Sequence, residues 1–335
     1  EAVAHQAPAA EVVSEGEAAR NSHDLVILEA RFSTDQPMTF KAKSTAISTA
    51  ALRAIESYTA PEQRLFRDPF ARPLCGPFLG ALLSLLAVRL LREPLLRLSE
   101  RRTPGVLGLL LSRFAYLDDV LREALADGVQ SVIILGAGLD SRAYRIPGAD
   151  AVHVFEVDHP SVQDVKRARL HRHLGEFPSH VRFVSIDFDT QDLAVELAAA
   201  GYDPESRSLF IWEGVSQYVS RAALESTLRY VGGTAAGNLL AFSYVLQRFI
   251  DDRSAFPELH ELWDQMREGD DPLWKCGLHP EHIAGTLAGF SLRVQEDMGA
   301  SEHLARYPVL KQRSLDVSEI ERIVLAEVRG SPASG

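Results

Sequence analysis

The sequence predicts an α/β fold in which a helical N-terminal cap precedes a doubly wound, mostly parallel sheet. Three observations support this prediction. After Gly128, short β-rich runs alternate with helical segments, as in a parallel sheet with helices on both faces. The first run ends at two glycines spaced one apart, Gly136 and Gly138, and the second ends in the carboxylates Glu156 and Asp158. Before Gly128 the chain is dense in leucine and has the apolar spacing of helices.

Seven runs have the length and composition of strands, and helical patterns separate most of them. The strands are predicted at 131–136, 152–157, 181–186, 208–212, 238–245, 291–297 and 320–328. The helical patterns lie at 159–174, 189–200, 221–231 and 279–289. This alternation predicts one sheet with helices packed on both of its faces.

The chain divides into three predicted regions. Residues 1–43 form an N-terminal arm or tail rich in alanine, glutamate and small polar groups. Residues 44–128 form the helical cap, which begins with a helix from Ser44 and ends with a helix over 106–126. Residues 129–330 form the sheet core, which carries the nucleotide-type motifs.

An apolar stretch at residues 78–88 lies within the cap. Arg89 and Arg92 follow it at once, and it is shorter than the ~20 residues that a membrane-spanning helix needs. We therefore interpret the stretch as a buried or lid helix and expect no stable membrane insertion.

Composition and charge limit the classes of partner. The chain has 335 residues and a formal net charge of −11, whereas binding of nucleic-acid phosphates needs a basic face, so we expect no nucleic-acid partner. The two cysteines, Cys75 and Cys276, cannot build a disulfide framework and no signal-peptide pattern is visible, so we expect a cytoplasmic protein. His171 and His173 do not share a helix face, so we expect no metal site.

The glycine turn after the first strand indicates a nucleoside cofactor. Bare backbone at Gly136 and Gly138 can touch a ligand, and an acid at the end of the second strand can bind ribose hydroxyls. A dinucleotide fingerprint has a third glycine where this chain has Ser141, and that glycine helps a helix N-terminus to hold a pyrophosphate. S-adenosylmethionine has no phosphate, so the two-glycine form favours S-adenosylmethionine over a nicotinamide dinucleotide.

The segment GAGLDSRAYR, at 136–145, resembles the glycine motif of the leucine carboxyl methyltransferase family. Further segments agree with this family in order and spacing: STA to RAIE at 48–56, LFRDPFA at 65–71, RFAYLDD at 113–119, FEVD at 155–158, DF at 187–188 and WEGVSQY at 212–218. The resemblance extends from about residue 44 to the C-terminus. It implies a Rossmann-like class I methyltransferase fold, S-adenosylmethionine as cofactor and S-adenosylhomocysteine as product.

The resemblance also implies which residues hold the cofactor. Arg113 is expected to pair with the methionyl carboxylate, because a guanidinium offers two parallel donors to two oxygens. Gly136 and Gly138 are expected to let the backbone pass under the cofactor. Glu156 or Asp158 is expected to bind the ribose hydroxyls; Glu156 is preferred because it directly follows the apolar strand.

Four residues complete the site that the resemblance implies. Asp187 is expected to accept a hydrogen bond from the adenine amine, and Phe188 is expected to pack on the base. Glu213 lies at the end of the fourth strand, where its charge favours the sulfonium. Tyr218 is expected to line the acceptor pocket, so Glu213 and Tyr218 are the predicted catalytic residues.

The acceptor is expected to be a small apolar molecule. Family members that act on a protein C-terminus have a lysine near the cap that contacts the cofactor, and the surroundings of Lys41 and Lys43 depart from that pattern. The leucine-rich cap suits an apolar acceptor. No general base is evident in the sequence and a carboxylate needs none, so we expect O-methylation of a carboxylate. Two alternatives stay open: methylation of a hydroxyl, enol or amine of a secondary metabolite, and cofactor binding without methylation.

Overall fold

The computed structural model of the chain describes residues 37–267 and 272–330. Of the predicted arm at 1–43, residues 1–36 lie outside the described residues. The first helix begins at Pro37, seven residues before the predicted start at Ser44. Proline is favoured at the first helical position, because its missing N–H would have no partner there.

Between Pro37 and the first strand, the structure has five α-helices. They are α1 (Pro37–Glu56), α2 (Ala71–Leu74), α3 (Pro77–Leu85), α4 (Arg89–Arg102) and α5 (Val106–Ala126). The bounds of α5 are those predicted from the sequence. Most of its residues are buried, because α5 packs against α1 and α4 of the cap and also against the sheet.

The seven predicted strands form one sheet. They are β1 (Ser131–Leu135), β2 (His153–Asp158), β3 (Val181–Ser185), β4 (Ser208–Trp212), β5 (Leu239–Val245), β6 (Leu292–Met298) and β7 (Glu321–Val328). Their order is β3-β2-β1-β4-β5-β7-β6, and β7 is antiparallel to both of its neighbours. The predicted mostly parallel, doubly wound sheet is confirmed.

Nine further α-helices connect or follow the strands in the described part of the chain. They are α6 (Arg142–Arg145), α7 (Pro160–Leu174), α8 (Leu193–Ala199), α9 (Arg221–Gly232), α10 (Gln247–Asp251), α11 (His260–Arg267), α12 (Ile283–Ala288), α13 (Ala300–Arg306) and α14 (Val309–Gln312). Because side chains alternate along a strand, Ile133 and Leu135 enter one hydrophobic core while Val132 and Ile134 enter the core on the opposite face. In the part of the chain that the structure describes, no helix combines the length and the apolarity that crossing a bilayer requires.

The parallel register places the functional candidates at one edge of the sheet. Leu135, the last residue of β1, is paired with Val157 of β2 and with Trp212 of β4. The residues that follow these three positions therefore lie side by side. Ligands of open α/β sheets bind at this carboxyl edge, so the site is expected there.

Candidate functional site

The turn after β1 is shaped by two glycines in left-handed backbone conformations. Gly136 has φ of 66° and Gly138 has φ of 43°. A Cβ atom at Gly136 would also overlap the side chain of Val215, in the loop after β4. Larger residues are disfavoured at Gly136 by conformation and by space, so glycine is needed for the turn to pack against the loop after β4.

Glu156 and Asp158 lie on the same face of β2 but in different surroundings. Glu156 is fully buried, and the Lys166 ammonium of α7 lies 2.7 Å from its Oε2. Burial raises the pKa of Glu156, and Lys166 opposes that effect. Asp158 is part-exposed, and its Oδ2 accepts a hydrogen bond of 2.5 Å from the Gly138 N–H. Asp158 is thus the acid of this pair that is in contact with both the glycine turn and solvent.

Arg113, from the middle of α5, is held between two acids. Its Nε donates to Glu213 Oε1 at 3.0 Å, and its Nη1 donates to Glu321 Oε1 at 2.6 Å. Burial opposes the charge of Arg113, but Glu321 and Glu213 outweigh burial and raise the pKa of Arg113. Its remaining nitrogen, Nη2, lies beside Gly214, which has φ of 62°. The Nη2 edge of the buried Arg113 guanidinium therefore lies next to Gly214, which has no side chain, in the loop after β4.

Arg142, at the start of α6, bonds to three acids beneath the glycine turn. Its Nε donates to Asp118 Oδ1 at 2.8 Å, and its Nη1 donates to Glu213 Oε2 at 2.7 Å and to Asp140 Oδ2. Its Nη2 donates to the carbonyl of Phe114 at 3.2 Å. Burial alone would raise the pKa of Asp140, but the nearby cations Arg142, Arg53 and Lys166 together outweigh burial and the pKa is lowered. Both Glu213 oxygens are therefore bonded to arginines, one to Arg113 and the other to Arg142.

A second set of bonds attaches the cap to the glycine turn. Arg53 of α1 donates to Asp68 Oδ2 at 3.0 Å and to the carbonyl of Leu139 at 2.5 Å. Ser141 Oγ donates to the same Asp68 oxygen at 2.6 Å. Ser141 stands where a dinucleotide fingerprint has its third glycine, and here its hydroxyl ties the turn to the cap.

The remaining predicted residues follow β3 and β4. Asp187 and Phe188 come directly after β3 and are both part-buried, and Asp187 Oδ1 accepts a hydrogen bond from the Asp189 N–H at 3.0 Å. Tyr218 lies after β4; burial raises its pKa, and its hydroxyl is hydrogen-bonded to Thr45 of α1. Tyr218 thus connects the loop after β4 to the cap.

The structure brings the predicted residues of β1, β2, β3 and β4 to one edge of the sheet, and it adds residues that the sequence reasoning missed. The missed residues are charged and buried: Arg53, Asp68, Asp118, Lys166 and Glu321. Their partners are distant in sequence, so no local spacing indicated them. Among residues 37–267 and 272–330, no group of three or more histidine, cysteine, aspartate or glutamate side chains could hold a metal ion.

Comparisons with known proteins identify the family of this chain. A candidate S-adenosyl-L-methionine-dependent methyltransferase of Frankia alni is 34% identical over 245 residues, which cover 70% of this chain and 81% of that protein. One of Streptomyces coelicolor is 33% identical over 254 residues, which cover 73% of this chain and 84% of that protein. A solved structure of magnesium protoporphyrin IX methyltransferase from Synechocystis is 13% identical and aligns with 67% of this chain and 86% of that chain, at a TM-score of 0.43. The family model described as leucine carboxyl methyltransferase matches residues 46–232. This chain belongs to the leucine carboxyl methyltransferase family.

Proposed function

We propose that this S-adenosylmethionine-dependent methyltransferase transfers the methyl group to a carboxylate oxygen of a small apolar molecule. S-adenosylmethionine supplies an electrophilic methyl group on a sulfonium. In the proposed reaction the acceptor carboxylate forms the O–CH₃ bond while the C–S bond breaks and its electron pair stays on sulfur. The products are a methyl ester and S-adenosylhomocysteine.

The residues at the carboxyl edge of the sheet fit the cofactor. The turn at Gly136 and Gly138 is bare, and Arg113 keeps its Nη2 edge beside the backbone after β4, where a methionyl carboxylate could be paired. Glu213 carries a fixed negative charge at the end of β4, which favours a sulfonium cation. Asp187 and Phe188, after β3, are proposed to bind the adenine.

We assign the ribose hydroxyls to Asp158 rather than to Glu156. Glu156 has no exposed surface, and its charge is paired with Lys166. Asp158 follows Val157, whose partner in β1 directly precedes the glycine turn, and it retains exposed surface. Glu156 is then a positioning residue that holds Lys166 close to the turn, where Nζ lies 3.4 Å from the Ala137 carbonyl oxygen.

One observation supports a carboxylate acceptor above the others: both Glu213 oxygens are bonded to arginines. Asp140, which also bonds Arg142, has a lowered pKa. A carboxylate whose two oxygens both accept hydrogen bonds from arginines is poorly placed to take a proton from an acceptor. An acceptor that is already ionised at neutral pH needs no base. The acceptor pocket is proposed to lie beside Tyr218, between the cap and the loop after β4.

One residue favours a second candidate, the methylation of a hydroxyl of a secondary metabolite. His303 of α13 is neutral over the physiological range because burial lowers its pKa to about 4, and neither ring nitrogen has a hydrogen-bond partner among the described residues. A neutral imidazole can accept a hydroxyl proton. However, His303 is only 1% exposed and is packed between Tyr116 and Tyr307, so an acceptor cannot reach it without moving these rings. This enclosure favours the carboxylate.

The compartment proposed is the cytoplasm. Cys75 and Cys276 are both buried and neither forms a disulfide bond, as expected where thiols stay reduced.

The test uses methyl-labelled S-adenosylmethionine with matched pairs of carboxylic acids and primary alcohols that share the same apolar chain. Label that enters the acids and is released as methanol by mild alkali supports the proposal. The rate should be insensitive to pH above the acceptor's own pKa, because no protein base is titrated. Label that enters only alcohols or phenols, survives alkali and is abolished by His303→Gln would overturn the carboxylate assignment in favour of the hydroxyl.

A further inference from the structure

The outward side of the cap exposes an unusual number of large apolar side chains. Eight large hydrophobic residues of the described chain are exposed, and six of them lie in α3, α4 or the short connection between these helices. These six are Phe78, Leu85, Val88, Leu90, Leu91 and Leu98. Scattered exposed leucines are normal on a protein surface, but such a concentration marks an interaction surface.

The exposed positions on each of the two helices follow helical spacing. Phe78 and Leu85 are seven residues apart on α3, and Leu91 and Leu98 are seven residues apart on α4. Each pair therefore lies on one helix face. Leu90 is the most exposed of the set, at 82%. We call the exposed side chains of residues 78–101 the outer face.

The charge of this segment is opposite to that of the whole chain. Residues 77–102 contain five arginines and two glutamates, a net charge of +3, whereas the chain carries −11. Arg89, Arg97 and Arg101 are exposed beside the apolar residues. A pair of helices with exposed leucines and arginines has the composition of an interfacial amphipathic segment.

We propose that the outer face docks on the surface of an anionic lipid bilayer. The leucines would enter the boundary between headgroups and acyl chains, and the arginines would be attracted to the anionic headgroups. A second copy of the chain is a poorer occupant, because a symmetric contact would bring two surfaces of charge +3 together. The helices are too short to cross the bilayer, so this contact is peripheral.

Docking at this face leaves the candidate site accessible. The inner side of α3, at Leu79 and Leu83, packs against α1 and against Leu139 of the glycine turn. The docked surface and the site therefore lie on opposite sides of the same helical layer. The inference does not depend on which atom of the acceptor is methylated.

The test is flotation of the full chain with phosphatidylcholine vesicles, with and without phosphatidylglycerol, at low and high salt. We expect binding to the anionic vesicles that weakens with salt. Leu90→Ser with Leu91→Ser should weaken the apparent partition coefficient at least about tenfold, because the apolar contact is lost. Arg97→Gln with Arg101→Gln should weaken it about fivefold for each arginine.

Matched controls separate the outer face from general surface effects. Leu174→Ser with Val195→Ser removes two exposed apolar residues from α7 and α8, and Arg172→Gln with Arg207→Gln removes two exposed arginines elsewhere. Both controls should bind like the parent, and all variants should retain the parent's melting temperature. Absence of binding, equal binding to neutral vesicles, or equal losses in the controls would overturn the proposal. So would a dimer of the parent chain that Leu90→Ser with Leu91→Ser converts to monomer.

Discussion

The cap uses arginine on both of its sides, and the two sides use it differently. On the inner side, Arg53 is buried and bonds to Asp68 and to a backbone carbonyl of the glycine turn. On the outer side, Arg89 is mostly exposed, and its nearest carboxylate is Glu93, at 3.7 Å. The inner arginine fixes the cap to the site, whereas the outer arginine is largely hydrated.

The difference follows from the cost of burying charge. A buried ion loses several kcal/mol of solvation, so it is tolerated only where partners replace the water, and removing one partner leaves an uncompensated charge. An exposed pair gains about 0–1 kcal/mol because water and salt screen it. Inner substitutions should therefore affect folding and the site together, while outer substitutions should affect neither.

The largest expected effect is at Arg142, which is buried beneath the glycine turn. Arg142→Leu removes a buried cation that bonds Asp118, Asp140 and Glu213. We expect the free energy of unfolding to fall by about 3–5 kcal/mol, because a buried carboxylate is left without its arginine. Urea titration of both proteins at neutral pH measures this loss.

Arg293→Leu is the matched exposed control for Arg142→Leu. Arg293 pairs with Glu327 on the outer edge of the sheet, and its side chain is about half exposed. Its removal should change the free energy of unfolding by about 0–1 kcal/mol. Similar losses in both variants would contradict the distinction between buried and exposed charges.

The second prediction concerns His303, a buried group whose ring nitrogens have no hydrogen-bond partner among the described residues. The pKa of His303 is lowered from 6.5 to about 4, chiefly by burial. Above pH 6.5 the His303 ring is neutral in both the folded and the unfolded chain. Below pH 6.5 the ring of the unfolded chain binds a proton, whereas the ring of the folded protein binds one only near pH 4. Stability is therefore lost as the pH falls through this window, by about 3 kcal/mol from this residue.

His303→Phe should flatten that part of the pH dependence. Phenylalanine keeps the ring contacts with Tyr116 and Tyr307 but cannot titrate. The measurement is the free energy of unfolding of both proteins between pH 6.5 and 4. Equal curves for the parent and His303→Phe would contradict the assignment.

Much of the fold could be predicted because its signals are local. The apolar run at Ser131–Leu135 and the helix at Val106–Ala126 were identified from hydrophobic spacing and flanking glycines, and the structure has the same elements. The sequence did not predict the start of α1 at Pro37, since proline and threonine, at 37 and 39, are weak helix formers.

The site was predictable only in part. The residues that end β1, β2 and β4 could be identified, because a parallel sheet brings strand ends to one edge. The partners of Arg113 could not, since Glu321 is 208 residues away in the chain. Lys166 was equally hidden, because in sequence it is one of several basic residues of α7 and only packing selects it to face Glu156.

The third prediction distinguishes the proposed ribose ligand, Asp158, from Glu156, which pairs with a buried lysine. Asp158→Asn should weaken S-adenosylhomocysteine binding about tenfold, because a charge-assisted hydrogen bond is lost, with little effect on folding. Glu156→Gln should chiefly lower the free energy of unfolding, because Lys166 loses its buried partner. Calorimetric titration and urea unfolding of both variants measure the two effects. The reverse pattern would return the ribose to Glu156.

The smallest expected effect is on the outer side, at Leu85. Leu85 and Leu83 are both leucines of α3, but Leu85 is 55% exposed and Leu83 is 4% exposed. Leu85→Ala should change the free energy of unfolding by less than about 0.5 kcal/mol, because little apolar area is lost from the core. Leu83→Ala is the reference and should cost about 2–5 kcal/mol, since it opens a cavity against α1. If, without vesicles, Leu85→Ala lowers the free energy of unfolding as much as Leu83→Ala does, then protein already covers the outer face. Docking on a bilayer would then require that covering segment to move away first.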